Sequence, residues 1–196
     1  MELIDRHLLI PGMIVERYVP QFVCGTICWV LGSDFCHTGV VVVNKEGRWG
    51  TVDPLPPKTK FTPLAELNKM LAHGARMNFL WPEKAKIAQG ERVGAAMLRR
   101  VGDNYPELTV LRLGWLKVIS EFPYEIRSRH QWKDWCTLAA RDDWRDHGRC
   151  DWSIKPTNGT SKRNPTPKTV QNRRESGQLS LIANYGKRTE RGTNHG

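Results

Sequence analysis

Ser33-Asp34-Phe35-Cys36-His37-Thr38-Gly39-Val40-Val41-Val42-Val43-Asn44, followed by Lys45-Glu46-Gly47 and Arg48-Trp49-Gly50-Thr51-Val52-Asp53, is the stretch that decides the fold. The β-branched run after His37 is strand material, the glycine-containing triplet is a turn, and Arg48 to Asp53 is the returning strand of a hairpin. A three-residue loop with Gly47 in the left-handed conformation sets Asn44 opposite Arg48, and hence Gly39 opposite Asp53. His37 then lies on the same face as Asp53, one diagonal step away, about 7–8 Å between Cβ atoms and within side-chain reach. A two-residue loop would send the two side chains to opposite faces, because strand side chains alternate. Proximity of the two is therefore a prediction about register. Where it holds, a carboxylate orients and charge-stabilises an imidazole, and the missing partner is a nucleophile.

Working outward, Leu8 to Gly12 leads through a Pro-Gly turn into a first strand over Met13–Val19, which Pro20 ends. Gln21 to Leu31 is apolar throughout and predicts a short buried helix. Pro54 to Lys58 excludes regular structure. Thr62 and Pro63 open a helix over Leu64–Ala72 that stops at Gly74. Arg76–Trp81 predicts a strand, Gln89–Val101 a helix, Leu108–Ile119 a segment whose length favours helix, and Trp132–Trp144 another helix. Thr166-Pro167 starts a short helix ending near Gly177, and Gln178–Ile182 predicts a last strand. Residues 183–196 read as a disordered basic tail.

The 196 residues suffice for one well-cored domain, and 39% hydrophobic content with eight tryptophans excludes a disordered chain. Of the net charge of +10, seven units fall between Lys155 and Gly196, where nine Lys/Arg face two Asp/Glu. A basic segment of this kind suits anionic polymers such as nucleic acid or cell-wall material, or a membrane surface; it equally suits a solvated tail. No signal-peptide pattern opens the sequence and no apolar run has the length of a membrane span. The five cysteines are few and odd in number. They predict free thiols in a reducing, cytoplasmic setting.

Cys136 is the candidate nucleophile. It stands just inside the start of the helix that Asp134 caps, where unpaired N–H groups and the dipole favour a thiolate and can hold an oxyanion. Taken alone, without the His37–Asp53 pair, it reads better as a small buried core residue. Cys24, Cys28, Cys36 and His37 have the ligand types for structural zinc but not the spacing, and packing of Cys24 and Cys28 in the core fits better. No cofactor or metal is expected. The remaining histidines, and Asp142, Asp143 and Asp146 on an arginine-rich helix face, read as solvated surface.

The order of these features resembles the circularly permuted papain-like, or permuted NlpC-type, cysteine hydrolases. Pro11-Gly12-Met13-Ile14-Val15 resembles their opening Gly-Asp-Ile strand, and Ser33 to Val43 their Ser-His-apolar-Gly-apolar strand with its catalytic histidine. Thr51-Val52-Asp53 stands where that family places an acidic residue, more often Glu. Val101-Gly102-Asp103-Asn104-Tyr105 resembles its Leu-Gly-x-x-Tyr step, Trp135-Cys136-Thr137-Leu138 its nucleophile motif, and Asn164-Pro165-Thr166-Pro167 its closing helix. The likeness spans about residues 8–182, with the YiiX-like branch nearest and the lecithin:retinol acyltransferase group more distant. Met13, Asp53 and Thr137 depart from the usual Asp, Glu and Ser.

The resemblance implies an α+β, permuted papain-like fold over residues 1–182, with a small antiparallel sheet packed against helices. It implies a Cys136–His37–Asp53 triad working through a thioester, as an amidase or peptidase on peptidoglycan peptides or related amides. Compact size and a basic tail suit a phage-encoded or intracellular enzyme. Lipid acyl transfer or lipid hydrolysis is the second enzymatic reading, and a non-catalytic polyanion-binding module the reading from another class.

Overall fold

The computed structural model describes residues 3–31, 33–104, 140, 143–148 and 179–186. After a 3-10 turn at Arg6–Leu8 come β1 (Ile14–Tyr18), α1 (Phe22–Leu31), β2 (His37–Val43), β3 (Trp49–Asp53) and β4 (Lys60–Pro63). α2 (Leu64–Ala72), β5 (Arg76–Pro82), α3 (Ile87–Arg99) and β6 (Leu179–Tyr185) follow. The strands form one sheet in the order β4-β3-β2-β1-β5-β6, with every neighbouring pair antiparallel. The architecture is α+β, as expected.

The hairpin sets the register. Gly47 takes φ +72°, Asn44 N–H donates to Arg48 O at 3.0 Å, and Val40 pairs with Val52. The loop therefore has three residues, and Gly39 falls opposite Asp53. Alternation along the strands then sorts two cores. On one face Ile14, Val40, Val42, Val52 and Leu80 pack under Val93 and Met97 of α3, together with Ala140 and Trp144. On the other, Met13, Val15, Val41, Met77 and Phe79 pack against Leu67 of α2 and Tyr185. Trp144 Nε1–H donates to Gly12 O at 2.9 Å and pins its helical stretch to the turn before β1.

Five features differ from the sequence expectations. Asp143, expected on a solvated face, is buried and ion-paired with Arg100 at 2.9 Å. The last strand runs to Tyr185, which is buried and pairs with Met77, so Ala183–Tyr185 belong to the sheet rather than to a tail. Lys60–Pro63 forms an edge strand, where a proline costs no ladder hydrogen bond. α1 forms over the expected residues but is not a buried helix: Phe22, Val23 and Trp29 are 88%, 65% and 77% exposed. Cys24 and Cys36 are joined in a disulfide, not free thiols, because α1 lies back across the start of β2 and brings their Cα atoms to 5.2 Å. Segments 105–139 and 149–178, with the expected helices at Leu108–Ile119 and Thr166–Gly177, lie outside the described residues.

Candidate functional site

His37 opens β2 and Asp53 closes β3, so both stand at the same end of the sheet. His37 Nε2 lies 3.2 Å from Asp53 Oδ1. β1 adds a third member that the hairpin alone does not reveal. Arg17 pairs directly with His37, shares its face, and reaches Asp53 through Nη1 to Oδ2 at 3.3 Å and Nη2 to Oδ1 at 3.2 Å. Thr51 Oγ1 donates to Asp53 Oδ2 at 2.7 Å. His37, Arg17 and Asp53 are all buried.

Gly39 makes room for this cluster. A Cβ there would press on Asp53 Oδ1 and come within 3.4 Å of Asp53 Cγ and 3.2 Å of Val52 O. The absent side chain is what lets the carboxylate lie across β2 towards the imidazole.

Electrostatics follow from the contacts. Burial alone would raise the Asp53 carboxyl pKa, but the Arg17 guanidinium and the His37 hydrogen bond outweigh it and hold the group well below the usual carboxylate range. Asp53 is therefore ionised, and an ionised carboxylate only accepts. Nε2 of His37 must carry the hydrogen between them, which makes Nδ1 the basic nitrogen of the neutral ring. Arg17 also offsets the carboxylate charge, so Asp53 acts on the ring chiefly by orienting it.

Of the residues singled out from sequence, the structure brings together His37 and Asp53. Cys136 lies outside the described residues. Ala140 and residues 143–146 are helical, and Ala140 and Trp144, within the helix expected over 132–144, pack on the opposite face of the sheet from His37.

Cys28 is the free cysteine among the described residues. Cys24 and Cys36 are paired with each other. The Cys28 thiol has its pKa raised by burial, with Arg76 pulling the other way. The disulfide also removes two thiolates from the zinc set considered above. Among the described residues no group of three or more His, Cys, Asp or Glu could hold a metal ion. At the His37–Asp53 pair itself, the Arg17 guanidinium occupies both carboxylate oxygens, so this donor set does not fit a cation.

Arg17 is the member of this cluster that the sequence alone hides. Its signal is a charge inside Met-Ile-Val-Glu-Arg-Tyr-Val, readable only once β1 is set in register against β2.

No family model matches the sequence, and the curated proteins yield no match. Among solved structures, the metalloprotein YiiX from Escherichia coli O157:H7 matches with a TM-score of 0.59 at 15% identity, over 91% of this chain and 98% of that one. At that identity the likeness is one of architecture. The chain shares the fold of YiiX across nearly its whole length.

Proposed function

We propose that this protein is a cysteine hydrolase of permuted papain-like fold, an amidase or peptidase in which Cys136, His37 and Asp53 act together. The observation that carries the reading is the buried His37–Asp53 hydrogen bond at 3.2 Å, with the carboxylate held on its other side by Arg17 and Thr51. A fully buried carboxylate aimed at one imidazole nitrogen leaves the ring a single basic position, as a general base requires. Likeness in fold to YiiX supports the architecture, and the description of that protein as a metalloprotein does not carry over, because Arg17 competes for the carboxylate.

In this mechanism His37 Nδ1 takes the Cys136 S–H proton, and the thiolate attacks the carbonyl carbon of an amide. The C–S bond forms as the carbonyl π electrons move to oxygen, and the backbone N–H at the helix start donates to that oxyanion. The oxyanion collapses, the C–N bond breaks, and the imidazolium gives its proton to the departing amine. Water, deprotonated by the same nitrogen, then cleaves the thioester to a carboxylic acid and restores the thiol. Asp53 keeps the hydrogen on Nε2 throughout, and Arg17 keeps Asp53 in place.

Peptides bearing amide bonds, with peptidoglycan stem peptides first among them, are the substrates to try. Incubation with candidates, acid quench and intact mass tests the proposal: an acyl adduct on the peptide that contains Cys136, absent in Cys136→Ala and in His37→Ala, is expected. Adducts that persist in Cys136→Ala, or none with any peptide or ester, would overturn it.

A further inference from the structure

The Cys24–Cys36 disulfide stands one residue from the candidate base. The β1–β2 ladder ends at the Arg17–His37 pair, and Cys36 is the next residue outward, its N–H donating to Arg17 O at 3.1 Å. The end of a ladder is where a sheet frays first. Here fraying would part Arg17 from His37, the two side chains that share Asp53 Oδ1. Tying Cys36 to Cys24 on α1 opposes it. α1 in turn depends on that bond: no described residue of the helix belongs to either core, and Cys24 is the buried one among them. A single covalent link therefore couples the placement of α1 to the register of His37.

We propose that this bond is a thiol-operated switch on the His37 site, opened by a small thiol of the glutathione class that adds to Cys36. Two observations choose the sulfur. Cys36 is half-buried whereas Cys24 is 6% exposed, so a thiol arriving from solvent reaches Cys36. Cys24 is the better leaving group. It lies in the first turn of α1, where the helix dipole favours a thiolate, and Val19 N–H donates to its Sγ at 3.3 Å. Cys28 stands one turn further along α1, but burial raises its thiol pKa and keeps it protonated at neutral pH. The attacking thiolate therefore comes from outside. It forms an S–S bond to Cys36 as the Cys36–Cys24 bond breaks, and the electron pair leaves on Cys24 Sγ, which takes a proton. A second thiolate attacks the small thiol's sulfur in the adduct and departs with it as the small-molecule disulfide. Cys36 leaves as a thiolate and is protonated, so two small thiols are oxidised and one protein disulfide is reduced. Opening frees α1 and the end of β2 together and loosens the Arg17–His37 pair; oxidised glutathione reverses it. As control of turnover the inference rests on the cysteine mechanism above. The exchange itself uses no atom of Cys136, and its test reads no turnover.

The native full chain, incubated with reduced glutathione at neutral pH, quenched in acid, alkylated and digested, tests the chemistry. A glutathione adduct on the Cys36 peptide is expected, in clear excess over Cys24, with Cys24 recovered as a free thiol. Cys28→Ser should give the same adduct at the same rate. Hydrogen exchange followed by peptide mass reads the consequence. On opening, the amides of residues 36–38 should lose protection severalfold while those of residues 78–80 in β5 keep theirs, and oxidised glutathione should restore the difference. A bond that opens only in urea, adducts on Cys24 in place of Cys36, or adducts that vanish in Cys28→Ser overturn the proposal. So does an opened protein in which residues 36–38 exchange as before. Equal loss of protection in both stretches overturns it too, since that is loss of the fold and not a switch.

Discussion

Gly39→Ala is the substitution in which the geometry of the cluster makes a prediction opposite to the ordinary one. In a strand, replacing glycine by alanine normally stabilises by about 0.5–1 kcal/mol, because glycine loses more freedom on folding. Here the new Cβ would press on Asp53 Oδ1 and lie 3.2 Å from Val52 O, a carbonyl fixed in the β2–β3 ladder. The carboxylate has to give way. Oδ1 is the atom shared by His37 Nε2 and Arg17 Nη2, each at 3.2 Å. Displacing it by about 1 Å forfeits both contacts. Two hydrogen bonds to charged groups at about 1.5–3 kcal/mol each, less the backbone gain, give a net loss of roughly 2–5 kcal/mol. Urea unfolding of the wild type, Gly39→Ala, Asp53→Ala and the double variant measures this as a cycle. Once Asp53→Ala removes the carboxylate, Gly39→Ala should cost little or even stabilise. A Gly39→Ala protein as stable as wild type, or equally damaged in both backgrounds, would refute the reasoning.

Arg17→Met leaves Asp53 buried without its cation and should cost about 3–5 kcal/mol, read as a lowered urea midpoint. The depressed Asp53 pKa means that its contribution to stability is complete above the unfolded carboxylate value of about 4 and is lost as pH falls through that value towards the folded one. Urea midpoints across that acid range should fall in the wild type and fall less steeply in Asp53→Asn. The Cys24–Cys36 bond closes a short loop, and its removal in Cys24→Ser/Cys36→Ser should cost about 2–3 kcal/mol, measured against the wild type under non-reducing conditions. Trp144→Phe abandons the Gly12 carbonyl in the core and should cost about 1–3 kcal/mol, without changing the His37–Asp53 contact.

The part of this site governed by local chain geometry was legible from sequence. Lys45-Glu46-Gly47 allows a three-residue loop with Gly47 left-handed or a two-residue one, and the loop adopted decides which face Asp53 shares with His37. Helices α2 and α3 and strand β5 announced themselves through periodicity and their Pro and Gly boundaries. Features set by contacts distant in sequence were not legible. Arg17 enters the cluster through pairing of β1 with β2 across α1, and no turn specifies that register. A ten-residue apolar run reads as buried wherever it occurs, so the outward placement of α1 depended on the disulfide, whose partners spacing alone does not reveal. β6 pairs with β5 from about a hundred residues away, and nothing near Ile182 indicated that the strand continues to Tyr185.

The central claim is that His37, held by Asp53, serves as the base for Cys136. The pH dependence of Cys136 alkylation by iodoacetamide, followed by peptide mass, tests it most directly. The account predicts half-maximal reactivity well below the ordinary cysteine value of about 8.5, returning to that value in His37→Ala and partway in Asp53→Ala. One profile shared by all three proteins and centred on the ordinary value would contradict it.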